Sequence, residues 1–476
     1  MKRSIAIVLC VLLLLACAVP VGAAVIPQDE WDAYFFENAD VPKGVILQPG
    51  SDESERNLSW YMPEGTESCG VLLSENADMS GAETFAGRIV ETPQGDLAAF
   101  VTLTGLAGNN TYYYTCLTGE EQSEVWSFST VGDSFTALYT TDIHISEEED
   151  DPESYKNNAL MFTNVLDQAI EKSGGLDLIL SAGDQGSSGL RKEYTALVAA
   201  ASVKGVPFAT ALGNHDRKGA DFRYFTNLPN ETRSALASYQ CGDWWFVKGS
   251  VLFLVMDSNN ADGAAHSAFI KKAIRQNPDA KWRVLMMHHD LWGQTMPKRE
   301  DENKLLRLLW SPIIDENGID LALLGHSHYW SVSNVVYNRE TVQTVEKDAM
   351  IENAQGTVYL VSGSINRPRG AAEFTYGPNI GVGVEDPSRV VYNIIDFTPD
   401  AVKVTAYDYE TGETFNTLTL TKTGDAEKPA FSPLRAVGRW FTGLIGKIYA
   451  FFNNLDNYFD LKQKGFDISL GDVYKS

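Results

Sequence analysis

From Gly132-Asp133 onward the chain repeats one unit: a short apolar run, a polar cluster, then a stretch with helical spacing. The runs fall at residues 135–140, 176–180, 206–211, 282–287 and 319–324, and each is apolar over most of its length rather than at alternate positions. Strands read that way when both of their faces are covered, which places them inside a layered α/β domain. The intervening stretches agree: Leu160, Val165, Leu166 and Ile170 share one face of a helix over 156–172, and 190–204, 267–276 and 305–314 read as further helices. Residues 244–256 read as two strands turning at Lys248-Gly249-Ser250. Strands at 357–361, 390–397, 402–407 and 415–420, with a hairpin turn at Pro399-Asp400, extend or close the sheets of a domain spanning 133–423.

Polar clusters follow five of these runs: Asp142-Ile143-His144, Gly183-Asp184, Gly213-Asn214-His215-Asp216, His288-His289 and Gly325-His326-Ser327-His328. Ligands gather at the carboxyl ends of strands in such sheets, so the clusters converge on one rim. One histidine after a strand is an ordinary turn residue, but six of the seven histidines sit in these clusters. In an extended triplet the outer residues point the same way, so Asp142 with His144, and His326 with His328, face one centre. The glycines before Asp184, Asn214 and His326 permit tight turns and close backbone approach. Oxygen and imidazole donors with no thiolate nearby suit Mn, Zn, Fe, Ni or Co. Beside a metal, the Asn214 amide ligates without adding charge, His215 carries a proton, and Asp216 holds that imidazole in one tautomer.

Taken together, the five clusters resemble the calcineurin-like metallophosphoesterase superfamily, and with the N-terminal region described below they look most like purple acid phosphatase relatives. The match covers Asp142 to His328. It implies an α/β (α+β) sandwich of mixed sheets flanked by helices and two divalent metal ions. By resemblance Asp142, His144, Asp184 and His328 hold one metal and Asp184, Asn214, His288 and His326 the other, with Asp184 bridging. The implied reaction is in-line hydrolysis of a small phosphate ester, monoester before diester, with His215 assisting the leaving group. His289 and Arg217 are expected near substrate; Lys218, Arg367 and Arg369 are further cations at loop positions, His266 reads as structural, and Trp292 is a candidate cleft wall. Purple members carry a tyrosine three residues after the bridging aspartate. Here Ser187 stands there, which implies a colourless divalent pair.

At 476 residues the chain exceeds one core, so further units are expected. Short strands at 44–48, 57–61, 70–73, 98–103, 112–117 and 124–129 read as a β-sandwich over 38–131. Leu103-Thr104-Gly105-Leu106 and Thr111-Tyr112-Tyr113-Tyr114 resemble the later strands of a fibronectin type III module. Lys2 and Arg3, the apolar stretch from Ile5 to Leu15 and the small residues to Ala23 form an export signal over 1–23, or a lipoprotein signal to residue 16 with lipidation at Cys17. Either route implies an extracellular or cell-surface protein. Cys69 and Cys116 either bridge or remain isolated buried thiols. The tail, 424–476, carries apolar residues at helical spacing from Leu434 to Phe459; an arm packed on its own domain is favoured over interfacial membrane contact or dimerisation. The net charge of −25 argues against a long nucleic acid as partner. A reading of another class, a surface binding protein on a metal-stabilised scaffold, leaves His215 without a task.

Overall fold

The computed structural model describes residues 44–146, 152–293, 299–370, 377–423 and 433–474. The residues read as an export signal, Cys17 among them, lie outside the described residues, as does the start of the tail.

Two seven-stranded mixed sheets pack face to face. The first runs in the order β3 (Phe208–Thr210), β2 (Leu178–Ser181), β1 (Phe135–Thr140), Val391–Phe397, Ala401–Asp408, Thr414–Thr421, Ala349–Glu352. The second runs Trp244–Lys248, Val251–Val255, β4 (Trp282–Met286), β5 (Leu321–Leu324), Val358–Val361, Ser331–Ser333, Ile380–Gly383. The strands β1, β2 and β3 are mutually parallel, and β4 and β5 are parallel to each other.

The apolar runs have a direct structural reading. Ala137, Tyr139, Leu178 and Leu180 point inward and meet Val284, Met286, Leu321 and Leu323 in a core between the sheets. Their neighbours Leu138 and Ile179 point outward against Phe162, Val165 and Leu166 of α1 (Pro152–Ser173). On the far side Leu285, Ala322 and Leu324 pack on Phe269 and Ile270 of α2 (Gly263–Gln276) and on Leu309, Trp310 and Ile313 of α3 (Glu300–Asn317). Each strand therefore buries both faces in a helix–sheet–sheet–helix stack. A side chain of this kind contributes about 1.5–3 kcal/mol on burial, so the parallel strands are rigid mounts for whatever follows them.

Residues 190–204, expected as one helix, form two, Arg191–Leu197 and Ala201–Lys204. Ala200 is extended at the break, and the Val198 carbonyl accepts a hydrogen bond from the buried Lys204 ammonium. The short strands Ser331–Ser333, Ala349–Glu352 and Ile380–Gly383 were not expected from sequence; the last is half-buried throughout and half glycine.

Upstream lies an all-β region of a four-stranded and a five-stranded sheet around Leu58, Trp60, Val71, Val101, Tyr114 and Phe128. Cys69 and Cys116 sit on adjacent strands of one sheet, but Cys69 opposes Thr118 and Cys116 opposes Val71, a diagonal offset, and both thiols are free and buried. Burial pushes the Cys116 thiol up to about 12. The region is docked on the α/β domain through Ile46, Tyr61, Ala98 and Phe100, which join the α1 core with Tyr194, Phe222 and Phe225.

The helix α4 (Pro433–Gln463) lies along the α/β domain. Ala450 enters the core under α2 and α3, and a Cβ at Gly446 would fall 2.2 Å from the Ala261 carbonyl. Its outer side leaves Ile445, Ile448 and Phe452 exposed. Among the described residues no helix is long and apolar enough to cross a membrane.

Candidate metal centre

All five polar clusters stand just past the carboxyl ends of β1, β2, β3, β4 and β5, and they converge. The triplets do not alternate as extended strands do. Asp142 and His144 have φ of 49° and 53°, and His326 and His328 have 71° and 67°. The triplets are sharply turned rather than extended, and Asp184 is left-handed as well, at 55°. Left-handed non-glycine residues cost of order 1–3 kcal/mol each and persist where the surroundings over-determine them, which is typical of functional sites. Turning puts the paired side chains on one centre by a different route.

Each group spends one polar atom on the protein and leaves another facing the centre. Asp142 Oδ2 accepts from the His326 N–H at 2.8 Å and the Thr141 hydroxyl at 2.9 Å, while Oδ1 has no hydrogen-bond partner. Asp184 Oδ1 accepts from the His215 N–H at 2.7 Å, and its buried Oδ2 has none. His288 Nδ1 donates to the Ala182 carbonyl at 3.0 Å and His328 Nδ1 to the Arg367 carbonyl at 2.8 Å, which turns each Nε2 inward. Those inner atoms crowd together. His328 Nε2 lies 3.2 Å from Asp142 Oδ1 and 3.3 Å from His144 Nε2; His288 Nε2 lies 3.2 Å from Asp184 Oδ2 and 3.0 Å from Asn214 Oδ1. His326 Nδ1 is 3.2 Å from His288 Nε2, and its buried Nε2 has no hydrogen-bond partner.

Such a set of inward lone pairs fits cations. Asp142, His144 and His328 form one group whose donor atoms lie within 4.8 Å of one another, and Asp142, Asp184 and His288 form another. Burial pushes the His144 imidazole down to about 3 and His326 well below its ordinary value, so both are in the neutral form that ligates. Burial alone would raise Asp142 and Asp184, but the imidazoles around them hold both well below the usual carboxylate range. The glycines are tight: a Cβ at Gly213 would fall 2.0 Å from Asp184 Oδ1, and one at Gly325 2.0 Å from the Thr141 hydroxyl.

His215 stands edge-on to His144, ring centroids 4.8 Å apart, and its Nδ1 lies 2.7 Å from the Ser187 carbonyl. A carbonyl only accepts, so Nδ1 carries the hydrogen and Nε2 is left for a substrate. Lys218 Nζ lies along the ring, 2.7 and 3.4 Å from its nitrogens.

Three expectations fail here. Asp216 does not touch the His215 ring. Its carboxylate is buried and accepts from the backbone N–H groups of Asp184 (2.8 Å), Gln185 (3.3 Å), Gly186 (3.2 Å) and Gly213 (2.9 Å), and from the Tyr194 hydroxyl (3.1 Å). It ties the Asp184 loop to the Asn214 loop; the Ser187 carbonyl holds His215 instead. Arg217 is likewise turned away from the centre, with both terminal guanidinium nitrogens on Asn453 of α4. Trp292 is buried in the outer core with Tyr359 and the Arg307 guanidinium rather than walling a cleft. His266, read as structural, is locked between Asp243 and the Asn260 carbonyl at 2.7 Å each.

His289 faces away from Asp184. Its Nδ1 meets the Ser258 hydroxyl at 2.8 Å, and its ring lies 4.5 Å from that of His326. Sequence reasoning missed Glu302, 3.5 Å from His326 Nε2, and Arg299, which donates to the His326 carbonyl at 2.6 Å. Both belong to the start of α3, a charged stretch indistinguishable in sequence from a solvated helix end. It also missed Glu193, whose buried carboxylate accepts from the N–H groups of Ser187, Ser188 and Leu190 and shapes the loop after Asp184.

A two-sheet sandwich with buried carboxylates, imidazoles and an amide converging at its strand ends defines a metallohydrolase class. Comparison with known proteins narrows it: residues 135–330 match the calcineurin-like phosphoesterase family. The overall structure is similar to a purple acid phosphatase from yellow lupin (Lupinus luteus) seeds, at 15% identity and a TM-score of 0.66, covering 83% of this chain and 77% of that one. It is also similar to PhoD, at 13% identity and a TM-score of 0.52, covering 86% of this chain and 98% of that one. No curated protein matches the sequence. Residues 135–330 thus form a calcineurin-like phosphoesterase domain, and the centre they carry is that of a metal-dependent phosphoesterase.

Proposed function

We propose that the protein is an exported phosphatase that hydrolyses small phosphate monoesters with a pair of divalent metal ions. The observation that carries this is the pair of buried inward oxygens without hydrogen-bond partners, Asp142 Oδ1 and Asp184 Oδ2, beside the inward nitrogens of His144, His288, His326 and His328. Asp142, His144, Asp184 and His328 hold one ion; Asp184, Asn214, His288 and His326 hold the other. Asp184 Oδ2 suits the shared position, 3.7 Å from His144 Nε2 and 3.2 Å from His288 Nε2. When bound, such a pair supplies a hydroxide near neutral pH and neutralises the phosphoryl oxygens.

The remaining chemistry belongs to the chain. His215, with Nδ1–H committed to the Ser187 carbonyl, presents Nε2 to the leaving-group oxygen; as the imidazolium, with both nitrogens protonated, it gives the Nε2 proton to that oxygen and is left neutral with Nδ1–H in place. Lys218, whose Nζ lies 3.4 Å from that nitrogen, adds positive charge beside it. The architecture shared with a purple acid phosphatase supports the monoester preference, and the N-terminal signal in the sequence supports export. Ser187, 3.5 Å from His144 Nδ1, offers no phenolate, in keeping with a colourless centre.

The test is hydrolysis of an aryl phosphate and a bis-aryl phosphate by the chelated protein after return of Mn, Zn, Fe or Ni. His215→Ala is expected to lower kcat on the monoester by about 10²–10⁴-fold while metal content stays unchanged. A strong preference for the diester would assign the site to phosphodiesters. Absence of turnover with every metal would overturn the proposal.

A further inference from the structure

A cavity of about 360 Å³ opens beside the candidate centre, between the loop that carries His215 and the C-terminal helix. One side is lined by Asn214, Arg217 and Lys218, the other by Asp456, Phe459 and Asp460 of α4. The helix lies outside the region that defines the family, residues 135–330.

Its placement is firm. The Asn453 amide donates to the Asn259 carbonyl at 2.9 Å, Asn454 to the Leu236 carbonyl at 3.0 Å, and Asn457 to the Arg217 carbonyl at 2.9 Å. Lys464 donates to the Lys218 carbonyl at 2.9 Å, and Leu461 and Ile468 pack on Ala220 and Tyr239. Thus α4 is bolted to the loop of Asn214 and His215, and the two walls of the cavity keep one spacing.

The walls differ in chemistry. Lys218, against the His215 ring, makes the inner end positive, where a phosphoryl group and its leaving oxygen belong. The outer end has the exposed Asp456 carboxylate and the Phe459 ring, 58% exposed, while Asp460 is paired with Lys464 at 2.8 Å. A carboxylate beside an accessible aromatic face attracts ammonium groups and repels anions.

We propose that α4 forms the leaving-group subsite of this enzyme and that Asp456 and Phe459 select phosphate esters whose leaving group is small and carries an amine. The inference rests on the phosphoesterase reading above and assigns its substrate class. A cavity of this size matches the lower end of small-molecule sites and accommodates an aminoalkyl group rather than a polymer.

The test measures binding, so that it stands apart from turnover. Aminoethylphosphonate and phosphonoacetate are similar in size, differ in carrying an amine or a carboxylate, and have a carbon–phosphorus bond that a phosphoesterase does not cleave. Titrated calorimetrically into the manganese-loaded full chain, with methylphosphonate as the reference, the amine is expected to bind about tenfold more tightly than the carboxylate. Asp456→Lys is expected to remove or invert that preference, and Asp456→Asn to reduce it. Folding of each variant is checked by its melting transition. Equal affinity of the wild type for the two ligands, no binding of either, or a preference unchanged in a folded Asp456→Lys would overturn the inference. Tight, selective binding without hydrolysis of any ester would overturn the phosphatase reading alone.

Discussion

Asp216 is the residue whose sequence signal and structural task differ most. Its position beside His215 suggested a partner for the ring, yet it gathers four backbone N–H groups and one hydroxyl from the loops that present Asp184 and Asn214. Adjacency in sequence carries no information on which way a side chain leaves a 3₁₀ turn, and Asp216 opens the turn Asp216–Lys218. All five groups donate, so the side chain must accept with both oxygens. Asp216→Asn would set an NH₂ against N–H donors, and it is expected to weaken metal retention about 10–100-fold without touching a ligand. Metal content after dialysis against graded chelator checks this; retention equal to wild type would contradict it. His266 offers a second residue-scale prediction. Burial alone lowers its pKa, but the Asp243 carboxylate at 2.7 Å more than reverses this and holds it at about 9. A raised folded-state pKa gives stability that is full below the unfolded value near 6.5 and is lost as pH rises through about 9. Melting temperature is therefore expected to fall between these limits in wild type, and Asp243→Asn is expected to flatten that part of the profile.

The strands were legible because they are buried twice. Residues 135–140 coincide with Phe135–Thr140 and residues 282–287 with Trp282–Met286, since no other environment favours such apolar runs between helices. The helix break at Val198–Ala200 and the polar strand Ser331–Ser333 were hidden, because the Lys204 ammonium, which donates to the Val198 and the distant Val45 carbonyls, and pairing with a strand thirty residues on decide them. The helix α4 was legible as a helix, but not its partner: the contacts that place it are asparagine amides on backbone carbonyls, which leave no periodic pattern. Arg217 shows what this docking does. Read as a cation for substrate, it instead donates to Asn453, and burial lowers its pKa. Asn453→Ala would strip the Arg217 guanidinium of its side-chain acceptor and is expected to destabilise the protein by about 1–2 kcal/mol. Denaturant unfolding measures it, and an unchanged midpoint would show that the Asn453 side chain does not hold α4.

At the scale of the whole molecule, the parts are interlocked around one rim. The all-β region does not stand off as a separate bead: Ser59 donates to the Phe225 carbonyl, the Asn57 amide to the Asn227 carbonyl at 2.8 Å, and Lys248 pairs with Glu53 at 2.7 Å. These contacts hold the segment that follows the His215 loop from one side, and α4 holds it from the other. The five clusters made the centre legible in sequence because each begins within three residues of the end of a buried strand. Glu302, Arg299 and the α4 wall were not legible, because they reach the rim from helices whose exposed charges look like any solvated surface. The account as a whole depends on the inward oxygens and nitrogens being metal ligands with Asp184 shared between two ions. The most direct measurement is aryl phosphate hydrolysis by chelated protein as manganese is returned stepwise, with bound metal counted at each step. The account predicts turnover that reaches its plateau at two ions per chain and is lost in a folded Asp184→Asn; full turnover in excess chelator, or an undiminished plateau in that variant, would contradict it.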